Sequence, residues 1–143
     1  MLKWLLVALL ILPARDGQRD FDFGDGTWHS QIRRLKDPLT GSTTWQEYDG
    51  KVGTRKLWGG KAHLEELEVD GPGGHLEGLT LRLYDPKTHL WSLNWVSSGD
   101  GAVGTPMVGA FQGGRGEFID QESFGDKEIF VRHRFFDIIP GSH

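Results

Sequence analysis

Short stretches of alternating apolar and polar residues, separated by glycine-rich turns, dominate the chain from residue 27 onward. A period of two is typical of a β-strand that buries one of its faces. No segment shows a sustained helical period. The pattern predicts eight strands, at Thr27–Leu35, Thr43–Leu57, Ala62–Val69, Glu77–Tyr84, Leu90–Val96, Pro106–Phe111, Glu117–Phe124 and Glu128–Phe136.

The even spacing of these strands predicts an all-β fold, an antiparallel barrel or sandwich. Within the second strand, Asp49-Gly50 indicates either a hairpin turn or a bulge in one long strand, and we favour the bulge. The Asp85–Thr88 segment has the composition of a type I turn, with proline at its second position. The next residue often takes positive φ, which places His89 in a mildly strained conformation.

The first 14 residues, MLKWLLVALLILPA, differ from the rest of the chain. Lys3 precedes an unbroken apolar run from Trp4 to Leu12, which is shorter than the roughly 20 residues of a membrane-spanning helix. This pattern predicts a secretory signal and therefore an exported protein, periplasmic or extracellular. The alternatives are an uncleaved anchor or an N-terminal core element. We therefore predict a signal or anchor plus linker over residues 1–19 and one barrel domain over residues 20–143.

The composition excludes several classes of function. The 143-residue chain has no cysteine, so disulfides, thiolate metal sites and a cysteine nucleophile are ruled out. Sixteen basic and twenty acidic residues give a formal net charge of −4, with no basic run. This balance argues against nucleic acid or an acidic membrane surface as a partner.

The two glycines of Gly24-Asp25-Gly26 do not form a phosphate-binding loop, because a strand follows where such a loop requires a helix. The segments FDFGDGTW, GSTTWQEYDG, LWGG and LTLRLYDPKTHLWSLNW instead resemble a family of uncharacterised bacterial calycin-like proteins, that is, lipocalin-type or fatty-acid-binding-protein-type barrels. The resemblance covers roughly residues 20–140. It implies an up-and-down barrel in which Gly26-Thr27-Trp28 begins the first strand. It also implies that Phe21 and Phe23, on a plug segment at Asp20–Phe23, pack across one barrel end.

The chain departs from the resembled family at its C-terminal end, where further strands are expected after residue 140. Three alternatives follow: a fragment, a barrel closed with fewer strands, or an edge supplied by a neighbouring chain. We predict the incomplete barrel, in which Thr27–Leu35 does not pair with Glu128–Phe136. An open sheet edge favours self-association.

One assignment of strand faces directs several polar side chains into an interior of aromatic and aliphatic groups. A few polar groups in an apolar interior are typical of a small-ligand site. In the alternative interpretation, the arginines pair on the outer surface with Glu117, Asp120, Glu122 or Glu128. The candidate ligand-binding residues are Trp28, Arg34, Arg82, Asn94 and His133.

The sequence predicts neither a metal site nor a bound cofactor. His63-Leu64-Glu65-Glu66 lacks the second histidine of a zinc-protease helix, and the adjacent Glu65 and Glu66 point to opposite faces of a strand. His133 is the one counterpart of the axial ligand in nitrobindin-like haem barrels.

Three functions remain open. The first is non-catalytic binding of a small, largely apolar ligand. The second is an enzyme of the cyclase or isomerase type, in which Arg34, Arg82 or His133 polarises a carbonyl group. The third is a structural or protein-binding module without a pocket, which a common exposed patch of Trp45, Trp58 or Trp91 would favour.

Overall fold

The computed structural model describes residues 15–139, which form an all-β fold of eight antiparallel strands. All eight predicted strands are confirmed, with ends shifted by three residues or fewer. Within the described residues, the only helical elements are two single 3₁₀ turns, at Asp22–Gly24 and Trp58–Gly60. The strands are β1 (Gly26–Leu35), β2 (Trp45–Leu57), β3 (Ala62–Gly71), β4 (Gly74–Asp85), β5 (Leu90–Ser97), β6 (Met107–Gln112), β7 (Arg115–Phe124) and β8 (Lys127–Phe135).

Each strand pairs with the next along the chain, so the sheet is a simple up-and-down meander. The sheet curls through 195° into an open half-barrel. Across the described residues, β1 and β8 form the two edges and do not pair with each other. The predicted open barrel is therefore confirmed.

The predicted bulge at Asp49-Gly50 is wrong. Both ladders of β2 run through this point without a change of register, with Gly50 opposite Ser30 in β1 and Val69 in β3. Gly50 is required for another reason, because a Cβ atom there would lie 2.1 Å from the carbonyl oxygen of Glu68. Glycine thus permits a close approach between the backbones of β2 and β3.

The segment before β1 packs against the aromatic core of the half-barrel. Phe21 is fully buried, and its ring makes edge contacts with Trp91 and Phe111, each at a centroid distance of 5.0 Å. Phe23 is partly buried against the same cluster. Gly26 then turns the chain into β1 at a φ of 107°, a value that favours glycine. The core cluster consists of Phe21, Tyr84, Trp91, Leu93, Phe111 and Phe118.

The turn between β4 and β5 has the predicted geometry. The Asp85 side chain accepts a hydrogen bond of 2.8 Å from the amide of Lys87, and His89 has a φ of 59°. The His89 ring lies 3.2 Å from the Tyr84 hydroxyl through its Nδ1. The strained conformation predicted for His89 is thus confirmed.

The predicted export signal falls on residues 1–14, which lie outside the described residues, as do residues 140–143. In the described part of the chain, no helix has the length and apolar character needed to cross a membrane.

Candidate functional site

The register of the sheet decides which side chains face the inside of the curl. Arg82 of β4 is paired with His63 of β3 and Leu93 of β5, so these three side chains share one face. Phe118 and Asp120 of β7 lie on this face too, because Phe118 is paired with Gly109 of β6, and Gly109 is paired with Trp91, two residues before Leu93. The pairing of Phe118 with His133 extends the face to β8. We call this the concave face, and the opposite one the convex face.

A cavity of about 510 Å³ occupies the concave face between the strands of the half-barrel. Its volume lies within the range typical of small-molecule sites, roughly 300–1,000 Å³. Most of the surface that lines the cavity is apolar, although half of the sixteen lining residues are polar or ionisable. The main apolar lining residues are Ile32, Val52, Leu67, Leu93, Trp95, Met107 and Phe135, and the ionisable ones are Glu65, Arg82, Asp120, Glu122 and His133.

A depression of similar volume, about 520 Å³, lies over β2–β5. It is lined mainly by convex-face residues, among them Lys51, Glu66, Glu68 and Glu77, which are exposed. Because Lys51 already pairs with Glu68 at 3.0 Å, this charged outer surface is a weaker ligand site than the concave cavity.

Arg82 is the most deeply buried charge of the cavity, with 3% of its surface exposed. Its Nη2 donates a hydrogen bond to the Glu65 carboxylate, and its guanidinium lies 4.5 Å from the centre of the Phe21 ring. Burial lowers the pKa of Arg82, while the charge and hydrogen bond of Glu65 oppose this shift. Among the described residues, the Nε of Arg82 has no hydrogen-bond partner.

Two further carboxylates, those of Asp120 and Glu122, reach the cavity from β7. Asp120 is 8% exposed, and its Oδ1 has no hydrogen-bond partner among the described residues. The outer-surface interpretation placed these two residues, with Glu117 and Glu128, as partners of the arginines. The structure contradicts it here, because Asp120 and Glu122 face inward and Arg82 pairs with Glu65.

His133 lines the same cavity from β8, and its ring centroid lies 4.7 Å from that of Phe135. The residue as a whole is exposed, and neighbouring protein atoms cover part of its ring. This desolvation lowers the pKa of His133, the nearby charge of Arg82 lowers it further, and Glu65 opposes the shift. The imidazole is therefore neutral at neutral pH.

The structure brings together only some of the five predicted ligand-binding residues. Arg82 and His133 share the cavity, and Trp28 lines an adjoining space of about 400 Å³ that also contacts Arg82. Arg34 is exposed near the end of β1, opposite Gln46, and lines neither space. Asn94 lies on the convex face, where its amide donates 3.0 Å and 3.1 Å hydrogen bonds to Leu81 O and Ser92 Oγ.

Sequence reasoning missed Glu65, Asp120 and Glu122 as cavity residues. The signal for the last two was present, because both alternate in phase with Phe118, a residue whose size and apolar character predict burial. Assigning Glu65 requires the pairing of β3 with β4, in which Glu65 lies opposite Thr80 and beside Arg82. That pairing is a tertiary feature.

The exposed tryptophans do not form the common patch that a pocketless module would present. Trp91 is 1% exposed, in the core. Trp45 and Trp58 are exposed, but they stand at opposite ends of the 13-residue β2, roughly 40 Å apart at about 3.4 Å per residue.

Residues 15–139 contain no group of three or more His, Asp or Glu side chains arranged to hold a metal ion. His133 is the one histidine among the cavity-lining residues.

Comparison with known proteins identifies no relative: no protein-family model, no curated protein and no solved structure matches this chain.

Proposed function

We propose that this chain is a calycin-like, non-catalytic binding protein that holds a small, largely apolar ligand in its concave cavity. The observation that carries this proposal is the composition of the cavity, an apolar surface with a few polar groups in a volume of about 510 Å³. This combination supports binding of an apolar body with one or two polar contacts. Export, as residues 1–14 predict, would make the protein a carrier or sensor outside the cytoplasm.

The state of Arg82 favours binding over catalysis. Arg82 and His133 line one cavity, as an enzyme that polarises a carbonyl would need, but Arg34 lies apart from them. The guanidinium of Arg82 is already engaged by Glu65 and stacked over Phe21. A group held in this way is a poor electrophile for a substrate carbonyl, because its positive charge is neutralised by its partner.

A neutral fluorescent probe, N-phenyl-1-naphthylamine, tests the proposal. We expect saturable fluorescence enhancement with the wild-type protein. The variant Thr80→Trp, which fills the cavity from β4, should weaken this binding about tenfold or more. The matched control is Leu79→Trp, which adds the same side chain to the convex face of the same strand and should leave binding unchanged. If the wild type gives no saturable enhancement, or if both variants bind as the wild type does, the proposed binding site is refuted.

A further inference from the structure

The charges around the cavity do not balance. Glu65, Asp120 and Glu122 supply three carboxylates, and Arg82 supplies the one guanidinium of the lining. His133 adds no charge at neutral pH, since desolvation lowers its pKa. Because Arg82 is neutralised by Glu65, the two carboxylates of β7 define an excess of negative charge on one side of the cavity.

Asp120 is the least satisfied of these groups. It is more than nine-tenths buried, and one carboxylate oxygen lacks any hydrogen-bond donor among the described residues. A buried acceptor without a donor is costly, and a buried charge without a counterion is more so. A ligand that brings a donor or a positive charge to Asp120 would remove this cost.

The protein offers no cation of its own at this point. In the ion pairs formed by residues 15–139, neither Asp120 nor Glu122 takes part. The arginines of the paired strand β8, Arg132 and Arg134, alternate away from Asp120 and do not line the cavity; Arg134 lines the adjoining space beside Trp28. Among the described residues, no group of three or more His, Asp or Glu side chains is arranged to hold a metal ion, and an organic cation would in addition match the apolar lining beside these carboxylates.

The apolar surface beside these carboxylates determines the rest of the ligand. Leu93, Trp95 and Met107 line the same cavity, and Trp95 keeps 43% of its surface exposed. An exposed indole attracts a cation to its face and also packs against an aliphatic chain. A ligand with both features would contact all of these groups.

We propose that the ligand is an amphipathic amine, whose protonated nitrogen contacts Asp120 and Glu122 and whose apolar body covers Leu93, Trp95 and Met107. This inference rests on the proposed function and adds the chemical class of the ligand. A buried arginine by itself would suggest a negatively charged ligand. The unpaired charge in this cavity is negative, so the ligand proposed here carries a positive charge.

Three competitors with the same apolar chain test this inference: decylamine, decanol and decanoate, each below its critical micelle concentration. Each is titrated against N-phenyl-1-naphthylamine bound to the wild-type protein. We expect decylamine to displace the probe at about a tenfold lower concentration than decanol, and decanoate to be the weakest. If decanoate competes as well as decylamine or better, or if all three compete equally, the amine inference is overturned.

Variants assign the preference to the cavity. Asp120→Asn should reduce the advantage of decylamine over decanol about tenfold while leaving decanol unchanged. Glu117→Gln, on the convex face of the same strand, changes the net charge equally and should keep the advantage. If Asp120→Asn does not fold, the advantage of decylamine over decanol is measured in Glu122→Gln instead. An advantage retained in the folded Asn variant, or in Glu122→Gln if that variant alone folds, overturns the inference. Failure of the probe itself to bind would instead refute the proposed function.

Discussion

At the scale of single residues, His63 is an unusual member of the core. It is fully buried between the rings of Phe21 and Trp91, and neither of its nitrogens forms a hydrogen bond with a described residue. Its closest ionic neighbour is Asp25, whose Oδ1 lies 3.6 Å from Nδ1. Burial is the main reason that the pKa of His63 lies below its ordinary value of 6.5.

This lowered pKa predicts sensitivity to mild acid. Because the unfolded chain binds the proton more readily, the stabilising contribution of neutral His63 is fully present above pH 6.5 and is lost as the pH falls through the folded pKa. His133 acts in the same direction. The variant His63→Phe should therefore lose less unfolding free energy between about pH 7.5 and about pH 5.5 than the wild type does. Urea denaturation at both pH values measures this loss.

His75 serves as the control, because its contribution to stability changes with pH in the opposite direction. The pKa of exposed His75 is raised, chiefly by its hydrogen bond with Asp70, so its contribution is present below pH 6.5 and is lost as the pH rises. The variant His75→Asn should therefore lose more unfolding free energy on acidification than the wild type does. An equal loss in the wild type and in His63→Phe would contradict the role given to His63.

Residue roles were predictable only as far as the phase of each strand was known. Arg82 and His133 lie inside as expected: His133 alternates in phase with Val131 and Phe135, and Arg82 with Tyr84, while the leucines beside Arg82 face outward. The prediction that Asn94 lies inside was wrong. Its neighbours in β5, Leu93 and Trp95, lie on the concave face, so Asn94 between them lies on the convex face. The partner of Arg82 could not be predicted, because Glu65 reaches it from a strand 17 residues away.

At the scale of elements, the alternating pattern was sufficient to predict all eight strands, since each has one face turned toward the core. The backbone geometry at Asp49-Gly50, in the middle of β2, was not predictable from this pattern. Asp49-Gly50 has the composition of a turn or a bulge, and the actual requirement is a close approach of two backbones at Gly50. Such a requirement depends on the curvature of the whole sheet.

Two glycines of β2 give a matched test of this explanation. In Gly50→Ala the new methyl group would lie 2.1 Å from Glu68 O and 2.7 Å from the Cα atom of Val69, so backbone atoms would have to move. We expect a loss of about 3 kcal/mol in the free energy of unfolding. In Gly53→Ala the nearest atom is Thr27 Oγ1 at 3.9 Å, and stability should be unchanged or slightly higher. Equal stability of the two variants in urea denaturation would show that the close approach is unimportant.

At the scale of the whole molecule, the open half-barrel has two consequences. The cavity is lined from many strands, including Ile32 of β1 and His133 of β8, so its shape depends on the 195° curl. The meander was predictable from short turns between successive strands, while the degree of curl and hence the position of the site were not. The second consequence is that β8 forms an edge of the sheet, and an exposed edge favours pairing with another chain.

The sequence of β8 fits antiparallel pairing with a second copy of itself. In a two-fold arrangement centred on Val131, Glu128 of each copy lies opposite Arg134 of the other, and exposed Phe130 lies opposite Arg132. Opposite charges and an aromatic–cation contact across the strands both stabilise such a pair. We therefore expect the protein to form a concentration-dependent dimer through β8, measured by sedimentation velocity at micromolar concentrations.

A charge reversal distinguishes this dimer from association through other surfaces. Glu128→Arg places two like charges opposite each other at both ends of the paired strands and should weaken the dimer about tenfold or more. The double variant Glu128→Arg/Arg134→Glu restores the opposite charges with their positions exchanged, so it should restore dimerisation. Both side chains are exposed, and thermal unfolding should show that neither variant disturbs the monomer. A wild-type protein that stays monomeric, or a double variant no better than the single one, would exclude pairing through β8, because only the paired arrangement makes the two substitutions compensate each other.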